Sequence, residues 1–121
     1  MFDPRTATLD EKRDWLAEQA GWKPLYRYHT VEVWEQGVMF QQFHPVPATL
    51  DAIAKAMPEG WSWERYWQQL TSEGDDHKLV WTAVNKAVRR WPEVDDTGDE
   101  LSDRATLACL CIMADKGEVT K

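Results

Sequence analysis

The 121-residue chain has two cysteines, three histidines, six glycines and no excess of basic residues. Each scarcity removes a class of chemistry. Cys109 and Cys111 stand two apart in a segment that reads as helix. Residues at i and i+2 of a helix do not face each other, so the spacing disfavours an intramolecular disulfide. The pair is expected as small buried hydrophobes in a reducing compartment, the cytoplasm. His29, His44 and His77 make neither His-x-x-x-His nor His-Glu-x-x-His, the spacings that bring two imidazoles to one metal. The scattered glycines build neither a Gly-x-Gly-x-x-Gly turn nor a Walker loop. Asp95-Asp96-Thr97-Gly98-Asp99-Glu100 fails the EF-hand pattern, which needs glycine where Glu100 stands and a bidentate glutamate where Thr106 stands. Ser62, Ser72 and Ser102 sit in no nucleophile-elbow context. The longest apolar stretch, Ala105–Ala114, is too short to span a bilayer. Met1-Phe2-Asp3-Pro4-Arg5 lacks the apolar core of a secretory signal. The expectation is a non-enzymatic chain with no cofactor, no metal and no membrane contact.

Twenty-one acids against fourteen lysines and arginines give a net charge of −7. Direct nucleic-acid binding needs lysine and arginine against phosphates, so this balance argues against it. Glu93, Asp95, Asp96, Asp99, Glu100 and Asp103 lie within eleven residues that hold no base. That run reads either as a solvated loop or as an acidic docking surface through Asp95, Asp96, Asp99 and Glu100, imitating phosphate charge toward a nucleic-acid-binding partner. Lys86, Arg89 and Arg90 form a smaller basic group at a predicted helix end.

What the chain has in abundance is tryptophan, eight in all. An indole buries roughly 150–250 Å² and carries an N–H that wants a partner. Trp15, Trp63, Trp67, Trp81 and Trp91 fall at helical spacing among apolar residues, whereas Trp22, Trp34 and Trp61 flank candidate turns. Trp22, Trp34 and Trp61, with Tyr26 and Tyr28, are therefore the candidate aromatic partner-binding residues. The competing reading is a core that simply contains them.

Thr8-Leu9-Asp10-Glu11 has the form of a capping box, opening a helix that stops at Gly21. Residues 25–43 are rich in β-branched and aromatic side chains, and Gln36-Gly37 predicts a hairpin of Val31–Glu35 with Val38–Gln42. Thr49 caps a short helix broken by Pro58-Glu59-Gly60. Trp63, Tyr66, Trp67 and Leu70 stand at i, i+3, i+4 and i+7, which predicts a helix, although the aromatic content of 61–67 equally suits a strand. The stripe His77, Val80, Trp81, Val84, Ala87, Val88, Trp91 predicts another helix, ended by Pro92. Ser102 or Asp103 caps a last, almost wholly apolar helix, which must be central or paired with a second subunit. The fold class expected is a single α+β domain over 1–121, with loose ends at 1–7 and 118–121. In it a small antiparallel hairpin or sheet packs against four to five helices.

Leu16-Ala17-Glu18-Gln19-Ala20-Gly21-Trp22-Lys23, then Phe43-His44-Pro45, Trp61-Ser62-Trp63 and the alanine-rich 105–114 segment, together resemble the phage ABA sandwich family. The resemblance implies a layered α/β domain in a phage or prophage accessory protein, with 61–70 as a strand. It supplies no catalytic residues, and the Lys78–Asp103 stretch departs from the compact family pattern. The function expected is binding of a host protein in the bacterial cytoplasm, to inhibit a defence or regulatory complex. A small-ligand binder stacking a nucleotide-like ring on indoles is the alternative, and a homodimer through the 102–116 helix is a third.

Overall fold

In a computed structural model that describes residues 2–28, 31–69, 77–87 and 91–116, the chain is built from three helices and two three-stranded antiparallel sheets. The four to five helices expected are thus corrected to three among the described residues. The elements run α1 (Leu9–Gln19), β1 (Lys23–Tyr28), β2 (Val31–Gln36), β3 (Met39–Gln41), α2 (Leu50–Ala56), β4 (Ser62–Gln69), β5 (His77–Val84), β6 (Glu93–Asp95) and α3 (Glu100–Asp115).

Local chemistry decides the ends of the helices. Thr8 Oγ1 accepts the Glu11 amide at 3.2 Å while Glu11 accepts the Thr8 amide at 3.1 Å, closing the capping box at α1. At its other end Trp22 N donates to Ala17 O and Gly21 N to Glu18 O, both at 3.0 Å. This is a Schellman closure that needs the positive φ of 91° found at Gly21. Thr49 caps α2 through the Ala52 amide. Asp99, not Ser102 or Asp103, caps α3, its carboxylate taking the Ser102 amide at 3.1 Å.

The two predicted central helices are strands. In β4 every residue pairs with β5, from Ser62↔Val84 to Gln69↔His77. Trp63, Tyr66 and Trp67 match helical period by coincidence, and their aromatic β-preference prevails once a partner strand lies alongside. In β5 the run Leu79-Val80-Trp81-Thr82-Ala83-Val84 is continuous because the strand is central, between β4 and β6. Such runs carry no period of two, so periodicity alone cannot separate them from helix. β6 arises inside the acidic segment, Trp81 pairing with Val94. Residues 88–90, the end of that predicted helix, lie outside the described residues, as do 29, 30, 70–76 and 117–121. The predicted hairpin is present one residue later, with Gln36↔Met39 closing around Gly37 and Val38. β1 adds a third strand on the other side of β2.

α3 is the pivot. Ala105, Leu107, Ala108, Cys109 and Cys111 are fully buried, and one side of the helix meets Leu16, Ala17, Trp34 and Ile53. The other side meets Trp61, Trp81, Ala83 and Val94 of the second sheet. The central placement expected for an all-apolar helix is realised within the chain. Arg104 extends this packing, its guanidinium lying 5.3 Å from the Trp63 ring and 4.9 Å from Trp81. Arg65 lies 5.0 Å from the same Trp81 ring. The N-terminal segment expected as a loose arm is anchored, with Phe2 stacked on Trp15 at 5.1 Å and Pro4 buried.

Candidate functional site

The register of the first sheet sorts its side chains onto two faces, because directly paired residues share a face and neighbours alternate. Tyr26↔Val33, Tyr28↔Val31 and Glu35↔Phe40 are pairs, so Tyr26, Tyr28, Val31, Val33, Glu35 and Phe40 lie on one side. Arg27, Glu32, Trp34 and Gln36 lie on the other. The Trp34 side is the inner one: Trp34 is 0 % exposed. On the outer side Tyr26 is 51 %, Tyr28 61 %, Val31 55 % and Phe40 64 % exposed. Met39, paired with Gln36, falls on the Trp34 side though it is half exposed, while Val38 in the β2–β3 turn and Phe43 after β3 are also exposed. A contiguous exposed apolar patch of this kind marks an interaction site more often than isolated exposed residues do.

The candidate aromatic residues therefore divide. Tyr26 and Tyr28 stand together on the outer face, rings 6.5 Å apart. Trp34 is in the core under that sheet, and Trp61 is buried at the second sheet with its Nε1 donating to Asp115 at 3.0 Å. Trp22 is half-buried at the wall of a groove of about 480 Å³ between α1, α2 and α3. That groove is lined mainly by Leu16, Val46, Ala52, Ala56 and Ile112, with Gln19, Lys55, Asp115 and Lys116 at its polar positions. Val38, Met39, Phe40 and Phe43 were absent from the sequence-derived set. Their signal was the uncharged run Val38–Phe43, and its exposure follows from β3 being an edge strand.

The acidic candidates are each engaged within the chain. Asp95 pairs with Lys78 at 3.0 Å and Asp96 with Arg65 at 3.5 Å. Asp99 is the α3 cap, and Glu100 meets Arg104 at 2.9 Å one helical turn on. These contacts organise β6 and the start of α3, leaving the acidic segment less available as a free array of charge. Lys86 is exposed in a turn after β5; Arg89 and Arg90 lie outside the described residues.

Sequence reasoning missed a polar cluster on the inner side of the first sheet. Asp14 of α1 takes two hydrogen bonds from Arg27, at 2.6 and 2.9 Å, and one from His44 Nε2 at 2.7 Å. Glu32 lies 3.6 Å from Arg27 and accepts the Trp34 indole N–H. Burial alone would raise the Asp14 carboxyl. The hydrogen bonds from Arg27 and His44, reinforced by the charge of Arg27, outweigh it and hold the group below the ordinary carboxylate value. The cluster pins the β1–β2 pair to α1, and no periodicity could have announced contacts between positions 14, 27, 32 and 44.

Among the described residues no three His, Cys, Asp or Glu side chains converge as a metal would require, and no helix is long and apolar enough to cross a membrane. No family model, curated protein or solved structure matches the chain.

Proposed function

We propose that this chain is a protein-binding accessory protein that docks its partner on the outer face of the β1–β2–β3 sheet. The observation that carries the reading is the grouping of Tyr26, Tyr28, Val31 and Phe40 on one sheet face, each more than half exposed. Burying a side chain of this size is worth about 1.5–3 kcal/mol before the costs of association, and tyrosine and phenylalanine supply large contact area at small entropic cost. The net charge of −7 favours a partner whose apolar patch is rimmed by basic residues. The resemblance to the phage ABA sandwich family makes a host protein of the bacterial cytoplasm the proposed partner.

The test is capture from a bacterial host lysate with wild-type chain and a Tyr26→Ser/Phe40→Ser double variant, followed by hydrogen exchange on the recovered complex. A partner retained by wild type, lost by the variant and protecting amides of residues 23–41 supports the reading. Equal capture by both chains, or protection confined to other elements, overturns it.

A second reading rests on the 480 Å³ groove, a size that suits small ligands. There Trp22 offers a ring to stack on, and Lys55 and Lys116 offer positive charge to a nucleotide-like anion. A thermal-shift panel of nucleotides separates the two, since a ligand at 100 times its Kd adds about 2.7 kcal/mol.

A further inference from the structure

Lys12 is the most unusual charged residue in the molecule. It is 4 % exposed, yet among the described residues it makes no ion pair with a carboxylate. Its Nζ donates instead to Ser102 Oγ at 2.9 Å and to Ser102 O at 3.4 Å. Of the two carboxylates whose charge acts on it, Asp103 accepts the Thr97 amide at 3.0 Å and the Thr97 hydroxyl at 2.8 Å, and Asp99 accepts the Ser102 amide at 3.1 Å. Burial pulls the amine below its ordinary value, with Cys109, Asp103 and Asp99 acting the other way without cancelling it. Once neutral, the amine has a lone pair, and the hydrogen bond reverses: the Ser102 hydroxyl becomes the donor and Lys12 the acceptor. Both residues line a cleft of about 370 Å³ with Arg5, Thr97 and Thr106 on its walls. Ser102 occupies the first turn of α3, where the helix dipole favours developing negative charge.

We infer that Ser102 and Lys12 form an acyl-accepting pair, with Ser102 the nucleophile and Lys12 its general base, toward a short-chain ester or thioester small enough for the cleft. The step balances without any further reagent. The Ser102 hydroxyl proton passes to the neutral Lys12 amine as Oγ bonds the acyl carbon. The bond from that carbon to the donor's sulfur or oxygen breaks, and the departing thiolate or alkoxide takes the proton back from Lys12. The products are an ester on Ser102 and a free thiol or alcohol. The α1–α3 cleft is separate from the sheet face proposed for docking, so the activity stands or falls independently of the partner.

The experiment incubates the full chain with p-nitrophenyl acetate and a short acyl thioester, reading leaving-group release and the site of acylation by peptide mass mapping. Acylation is expected at Ser102, faster by at least about a hundredfold than at the exposed Ser62. It is lost in Ser102→Ala and reduced about a hundredfold or more in Lys12→Arg, which keeps the charge and the donor but cannot serve as a base. The wild-type rate rises with pH through one deprotonation below the ordinary lysine value of about 10.4. Acyl transfer to the Lys12 amine overturns the inference, as does Ser102 reacting no faster than Ser62 or an unchanged rate in Lys12→Arg. If Lys12→Arg does not fold, the wild-type comparison of Ser102 with Ser62 decides alone.

Discussion

His44 Nε2 lies 2.7 Å from Asp14 Oδ1, while Nδ1 of the same ring accepts the Val46 amide at 3.0 Å. That pattern assigns the neutral tautomer with its proton on Nε2. Both ring nitrogens are occupied within the chain, so the buried imidazole of His44 has no lone pair left for a substrate. It clamps the 42–48 loop to α1, and Trp34, with its ring 4.7 Å from the imidazole, is locked beneath it.

The first prediction follows from Asp14. Its carboxyl is held below the ordinary value in the folded chain, so the stability it contributes is fully present above the unfolded value of about 3.9. That contribution is lost as pH falls through the lower, folded value. Thermal melts are expected to change little from this group above about pH 5 and to fall steeply below about pH 4. Asp14→Asn should be less stable than wild type at neutral pH and show a shallower acid slope. An unaltered slope in the variant would remove Asp14 from the account.

Tryptophan exposure gives the second. Trp34, Trp61 and Trp81 are buried, whereas Trp67 is 66 % and Trp91 44 % exposed. Iodide is therefore expected to quench a minor, red-shifted part of the emission. Trp67→Phe should remove much of that quenchable part while leaving the melting temperature nearly unchanged. Trp34→Ala, by contrast, should cost about 3–5 kcal/mol in denaturant unfolding.

The cysteines give the third. Burial pushes the Cys109 thiol up to about 12, and burial likewise raises Cys111. Native protein should resist a thiol-specific disulfide reagent for hours and react at both positions only in denaturant. Rapid labelling under native conditions would show that α3 opens at low cost.

A fourth concerns Arg104. Its Nε and the Trp81 Nε1 are buried without hydrogen-bond partners among the described residues, so the arginine is held by its faces against two indoles and by Glu100. Arg104→Lys keeps the charge and loses the flat stacking surface, and should cost about 0.5–2 kcal/mol. Equal stability of the lysine variant would mean that charge, not stacking, holds this position.

How much of this was legible beforehand depends on the range of the forces involved. Helix ends were readable because caps are local. The Thr8–Glu11 box, the Gly21 closure and the Thr49 cap each involve residues within five of one another. The Gln36-Gly37 hairpin was readable for the same reason, and the burial of α3 because no polar face was left to solvate.

Strand against helix at 61–91 was not readable. A central strand buried on both faces shows no alternation, and an aromatic-rich partner strand matched helical spacing by accident. Only the pairing of β4 with β5 settled it, a contact the linear pattern does not encode. The same reason separates Tyr26 from Trp34: composition marked both as candidate contacts, and sheet register put one in solvent and the other in the core. Lys12 and Ser102, ninety positions apart, meet only because α1 and α3 pack together. Sequence alone thus determined the local helix caps, the hairpin turn and the excess of indole. Tertiary structure decided which faces met water, because burial is a property of the packed layers and not of any single segment.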